Sequence, residues 1–206
     1  MTLIGLILIA LAGLLYGFWK IVFLRNPTRK TPKGNHVVAP ADGVVIEIFE
    51  FKGKDVTLFK GNKRLLGLIN TMTSDVAKEG YIVSVFMSPM DVHINRSPID
   101  GVVESVNHTD GKFLAVNTFE AGLVNEKSET LISGVIKVKM IQIAGFLARR
   151  VVTNVEPGQT VAAGQEVGLI NLGSQVTVIM PKSVTLNISK GDRAVAGETI
   201  LAKINS

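Results

Sequence analysis

Pro40-Ala41-Asp42-Gly43-Val44-Val45 recurs as Pro98-Ile99-Asp100-Gly101-Val102-Val103, and Gly158-Gln159-Thr160-Val161-Ala162-Ala163-Gly164-Gln165-Glu166 recurs as Gly191-Asp192-Arg193-Ala194-Val195-Ala196-Gly197-Glu198-Thr199. Each unit reads as strand, turn and strand, with the repeated glycines fixing the tight turns. Neither copy buries its apolar face alone, so the copies pack together as a sandwich or partly closed barrel. Around them lie further short β-branched runs bounded by Gly, Pro, Asn and Asp, at Val44–Ile48, Tyr81–Phe86, Val135–Val138 and Gln175–Ile179. The expectation is a mainly β, barrel-sandwich-like domain with internal duplication over residues 37–206.

Upstream, Leu3 to Trp19 is free of charge, and Ile21-Val22-Phe23-Leu24 carries the run past Lys20 to a length that crosses a bilayer as one helix. Lys20 lies close enough to the end to snorkel, and Tyr16 and Trp19 suit the interface. A cleaved signal peptide fits less well, because a basic n-region and a small-x-small site after Leu24 are both missing. Lys20, Arg25, Arg29, Lys30 and Lys33 all follow the apolar run, which puts the globular part on the cytoplasmic side of the cell membrane as a single-pass protein. Residues 25–36, charged and carrying Pro27 and Pro32, read as an extended linker between an anchor at 1–24 and the β domain.

Composition narrows the chemistry. The 206 residues include no cysteine, which removes disulfides, thiol nucleophiles and zinc–thiolate sites. His36, His93 and His108 are too widely spaced for a sequence-local metal site. The net charge of +5 fits an anionic partner, but with aromatics at 6% and no basic run interleaved with them, anionic lipid is favoured over nucleic acid.

Several motifs occur in one order along the chain: Phe23-Leu24-Arg25-Asn26-Pro27-Thr28-Arg29, Ala39-Pro40-Ala41-Asp42-Gly43, Met87-Ser88-Pro89-Met90-Asp91-Val92-His93-Ile94-Asn95-Arg96-Ser97-Pro98, Gly111-Lys112-Phe113-Leu114, Asn125-Glu126-Lys127, Ile143-Ala144-Gly145-Phe146-Leu147-Ala148-Arg149-Arg150 and Leu172-Gly173-Ser174. In this order they resemble the phosphatidylserine decarboxylase family, in its short bacterial and archaeal branch. The resemblance implies a precursor that cuts itself between Gly173 and Ser174 into a β chain (1–173) and an α chain (174–206), which stay together as a heterodimer. It also implies a covalent pyruvoyl cofactor made from Ser174. With that ketone as electron sink, the enzyme would decarboxylate the serine headgroup of phosphatidylserine, or of an archaetidylserine-like lipid, to the ethanolamine lipid and carbon dioxide. The partners so implied are the phospholipid and the membrane, with a homo-oligomer compatible and no nucleic acid.

Residue roles follow from the resemblance and from chemistry. Gly173 lacks a Cβ and leaves its carbonyl open to the next side chain. Ser174 is the self-processing nucleophile, weak until a base takes its proton. The resemblance puts Asp42 in the base-orienting position for processing. His93, on a loop after a strand and a Ser-Pro turn, can hold or deliver a proton at the substrate Cα. Long-form relatives carry a second histidine three residues later, where this chain has Arg96. The base for Ser174 is therefore open among His93, Asp42 acting directly or through water, and His36 or His108. Arg96, Arg149 and Arg150 are candidates for phosphodiester or carboxylate binding, and strand alternation would aim only one of the last two into the site.

Two rivals remain at this stage. A biotinyl- or lipoyl-like carrier would need a lysine on an exposed hairpin, and the nearest candidate is Lys182 in Met180-Pro181-Lys182-Ser183. An unprocessed family member would bind lipid without turnover.

Overall fold

The structure, a computed structural model, describes residues 2–52, 55–56, 69, 71–114, 119–146, 150–171 and 173–205. The chain opens with helix α1 (Leu3–Gly17), whose N-terminal Gly5 N–H is capped by the Thr2 hydroxyl, and continues as a π-helical turn over Phe18–Phe23. Together Leu3–Phe23 form one helix long and apolar enough to cross a membrane, with a mean hydropathy of 2.2. No residue of α1 is buried, so its apolar side chains are exposed all round, as a lipid-facing helix requires.

The remainder is mainly β, and every strand pair is antiparallel. The largest sheet joins β2 (Gly43–Lys52), β3 (Asp55–Val56), β4 (Glu79–Met87), β6 (Gly101–Thr109), β7 (Lys127–Ser133), β8 (Lys137–Ile143), β10 (Thr160–Val161), β12 (Ser174–Pro181) and β14 (Arg193–Ala194). Its order is β10-β6-β7-β8-β12-β4-β2-β14, with β3 beside β2. Two small sheets flank it: β1 (His36–Val38), β15 (Ile200–Ile204) and β13 (Val184–Leu186), and β5 (Ile94–Arg96), β11 (Glu166–Ile170) and β9 (Val151–Thr153). A short helix, α2 (Phe119–Val124), precedes β7.

Strand β12 lies between β4 and β8 and is buried on both faces, which explains its unbroken β-branched run. Val176, Val178 and Met180 enter the main core with Val83, Val85 and Met140. On the opposite face Ile179 packs with Ile82, Ile141 and Ile143 in a second cluster. Each such side chain contributes about 1.5–3 kcal/mol of burial.

The duplication is visible bond by bond. Gly43 pairs with Ala194 in one half and Gly101 with Val161 in the other. Gly191 N–H donates to Val45 O and Gly158 N–H to Val103 O, both at 2.8 Å. The halves exchange main-chain bonds reciprocally: Val38 N–H reaches Pro98 O and Arg96 N–H reaches Pro40 O, both at 2.9 Å.

The sequence division places an extended linker at 25–36, and the structure adds the contacts that hold it against the β domain. The segment crosses the domain as an extended strap. Asn26 donates to Glu166, Arg29 pairs with Asp42, and Lys30 N–H reaches Glu198. The Asn26 amide, the Arg29 guanidinium and the Lys30 main-chain N–H meet acidic residues of both duplicated turns, which is why a charged, proline-bearing segment becomes fixed.

Candidate active site

The site lies where β4 ends, β5 begins and β12 starts. Met87, the last residue of β4, pairs with Ser174, the first of β12. Beyond Met87 the chain makes a tight turn whose carboxylate is buried: Asp91 accepts from the Ser88 N–H at 2.8 Å and the Ser88 hydroxyl at 2.7 Å. Arg193 from β14 donates to its other oxygen. A carboxylate with this many donors is stable inside and fixes the loop that carries His93.

His93 is 1% exposed, and its Nδ1 lies 2.8 Å from the Asp91 main-chain oxygen. That contact assigns the proton to Nδ1 and leaves the Nε2 lone pair free to accept. Nε2 accepts from the Gly173 N–H at 3.3 Å. Burial pushes the His93 pKa down to about 4; the Asp91 carbonyl and the Asp91 and Asp42 charges oppose this, while Arg25 adds to it. The imidazole is therefore neutral at pH 7 and able to take a proton.

Gly173 has φ of +67°, a left-handed conformation that a side chain would strain, although a Cβ there would meet nothing within 4 Å. Ser174 is fully buried, and its hydroxyl faces the Met87 sulfur at 3.4 Å. A thioether is a weak acceptor, so it orients the hydroxyl without activating it. The sequence-selected pair His93 and Gly173–Ser174 is thus brought together, with the imidazole on the glycine amide and not on the serine oxygen.

The other candidates are placed differently. Asp42 is held by two contacts from Arg29, at 2.9 and 2.8 Å, and by the Ala196 N–H at 2.8 Å; it makes no hydrogen bond to His93 or Ser174. Arg96 donates to Gly164 O, Asn26 and Pro27 O, so its guanidinium fastens the strap. Arg150 is exposed, and its carbonyl accepts from Asn171 N–H, two residues before Gly173. Arg149 lies outside the described residues. His36 and His108 make no contact with Ser174; His108 faces Asp110 and Glu126. Lys182 is tied to Glu50 and the Tyr81 hydroxyl instead of standing free on a hairpin tip. Among the described residues no group of three or more His, Asp or Glu side chains comes together as a metal site.

A buried polar chain behind Ser174 escaped sequence reasoning. Asn95 donates to the same Met87 sulfur at 3.7 Å, Gln142 donates to Asn95 at 2.9 Å, and Thr153 meets Gln142 at 2.8 Å. Gln142 was the available signal, a single amide in the otherwise apolar stretch Met140-Ile141-Gln142-Ile143. These surroundings are closed to water and furnished with a neutral imidazole and amides, and their chemistry would fit a reactive carbonyl group at position 174.

A family model described as phosphatidylserine decarboxylase matches residues 18–202. The provisionally named archaetidylserine decarboxylase proenzyme of Methanocaldococcus jannaschii is 36% identical over 94% of this chain and 93% of its own. The phosphatidylserine decarboxylase proenzyme of Chlorobaculum tepidum is 36% identical over 97% of this chain and 84% of its own. That of Geotalea uraniireducens is 41% identical over 88% and 77%. With a family match over residues 18–202 and relatives 36–41% identical over most of the chain, the chain belongs to the phosphatidylserine decarboxylase family and is a decarboxylase.

Proposed function

We propose that this chain is a proenzyme that cuts itself between Gly173 and Ser174 and then decarboxylates phosphatidylserine, or an archaetidylserine-like lipid, to the ethanolamine lipid and carbon dioxide. The observation that carries the reading is the contact of His93 Nε2 with the Gly173 amide, beside a buried Ser174. In processing, the Ser174 oxygen adds to the Gly173 carbonyl carbon and the Gly173–Ser174 C–N bond breaks, leaving an ester. Loss of the Ser174 α-proton expels the Gly173 carboxylate, and water then replaces the freed nitrogen, which leaves as ammonia. The pyruvoyl group that remains supplies an electron sink conjugated to an amide carbonyl.

The protein's own residues supply the rest. Gly173 gives a peptide carbonyl unshielded by any Cβ. His93, neutral and dry with its Nε2 lone pair toward the site, takes up a proton there and passes it to the substrate Cα. Arg150, exposed beside the loop that carries Gly173, is placed to meet the lipid phosphate, since guanidinium and phosphate pair bidentately. The helix Leu3–Phe23 holds the domain at a membrane, and the basic residues after it favour the cytoplasmic side.

Intact-mass spectrometry of the purified protein tests the reading. Two chains are expected, one ending at Gly173 and one with a blocked N-terminus at position 174, while Ser174→Ala stays one chain and inactive. Wild-type protein that decarboxylates lipid while uncut would remove the mechanism. A carrier would instead gain mass on lysine, a reading that the tethered Lys182 disfavours.

A further inference from the structure

Phe23 ends the apolar helix yet is only 1% exposed, whereas the residues of α1 are not buried at all. Its ring lies against the His93 imidazole, with centroids 4.3 Å apart and planes tilted by 39°. It also stacks on Trp19 at 4.5 Å and 18°. The local winding produces this placement: Phe18–Phe23 is a π-helical turn, with Leu24 N–H bonded to Trp19 O five residues back at 3.0 Å. Such turns are rare and are found frequently at functional sites. Arg25 then ties the helix end to the His93 loop by donating to the carbonyls of Val22 and Met90.

We propose that Phe23 is a positioning residue of the active site, so that the end of the membrane helix forms the wall that covers His93 and holds its ring over Gly173. This rests on the reading that His93 serves the reaction. The physical role is to exclude water. Asp91 and Asp42 favour a charged imidazole and Arg25 opposes it, and with the Phe23 ring in place burial outweighs both carboxylates. Removing the ring hydrates the imidazole, and His93 then titrates closer to an ordinary histidine.

The test uses the full chain in phosphatidylcholine nanodiscs, with histidine and phenylalanine labelled for NMR. Three histidines make assignment tractable. In wild-type protein, cross-relaxation between the Phe23 ring and the His93 imidazole is expected, and its absence would overturn the proposal even if variants fold poorly. In Phe23→Ala the His93 midpoint should rise by ~1 pH unit or more, with turnover on phosphatidylserine vesicles down ~tenfold or more. Phe23→Tyr should restore both. An unchanged His93 midpoint in a folded Phe23→Ala protein overturns the proposal. A shifted midpoint together with full turnover in His93→Ala upholds the seating of Phe23 on His93 and refutes instead the catalytic reading of His93.

Discussion

Asp42 and Asp100 make the same contact in the two halves of the duplication: Asp42 Oδ1 accepts the Ala196 N–H at 2.8 Å and Asp100 Oδ1 accepts the Ala163 N–H at 2.9 Å. What separates them is Arg29, whose guanidinium grips the Asp42 carboxylate alone. The turn role is therefore common to both residues, and any role in processing has to come from what Asp42 adds.

Asp42→Ala should accumulate uncut precursor and lose about 1–3 kcal/mol of stability, because it leaves the Ala196 N–H and the Arg29 guanidinium without their acceptor. Asp100→Ala, which removes one hydrogen bond to a turn N–H, should lose only about 1 kcal/mol and cleave normally. Gel analysis of cleavage with thermal melts of both variants checks this; equal cleavage in the two would confine Asp42 to the turn.

Gly173→Ala should slow self-cleavage without unfolding the protein. The added methyl has space, so the cost is the left-handed backbone, roughly 1–2 kcal/mol for a residue with a Cβ. Relief of that strain by rotation would carry the carbonyl away from Ser174. A time course of chain separation measures it, and wild-type kinetics would mean that the observed φ is not needed.

His93→Ala should still yield two chains while turnover falls by roughly a hundred- to ten-thousandfold, the loss typical of a missing acid or base. Its ring contacts the Gly173 amide and not the Ser174 oxygen. If His93→Ala stays as uncut as Ser174→Ala, His93 is the processing base.

Stability should also fall at acid pH through His93. Its folded pKa of about 4 lies below the unfolded value of 6.5, so the unfolded chain binds the proton first. The group's contribution is whole above pH 6.5 and is lost as pH falls through about 4, by about 3 kcal/mol in full. Denaturation midpoints over that range should drop more steeply in wild type than in His93→Gln; parallel curves would contradict a dry, neutral imidazole.

The duplication was legible in the sequence because turns write themselves locally: an aspartate and a glycine before a valine pair, and glycines at fixed offsets, demand the same backbone wherever they occur. Gly173, Ser174 and His93 stood out as candidates for a related reason, lying in short contiguous motifs, and the structure brings them together. The strap was not legible. Residues 25–36 look like a linker in composition, and what fixes them, Asp42, Glu166 and Glu198, lies far along the chain. Arg96 looked like a ligand for substrate for the same reason, since its partners Asn26 and Gly164 are distant in sequence. Phe23 was indistinguishable from its exposed apolar neighbours in the helix because hydrophobicity records that a side chain avoids water, not which dry surface it meets.

The position of β12 has a consequence for how the fold would outlast the proposed cut. The segment beginning at Ser174 supplies the strand wedged between β4 and β8, and also β13, β14 and β15, which pair with strands of the longer segment or with each other. Breaking the Gly173–Ser174 bond would therefore change the chain count without releasing either piece. Unfolding after such a cut would be a one-way event, because two separate fragments would have to meet again before the central strand could be rebuilt between its neighbours, so the cut form would be assembled once, as a precursor, and not renewed from its parts.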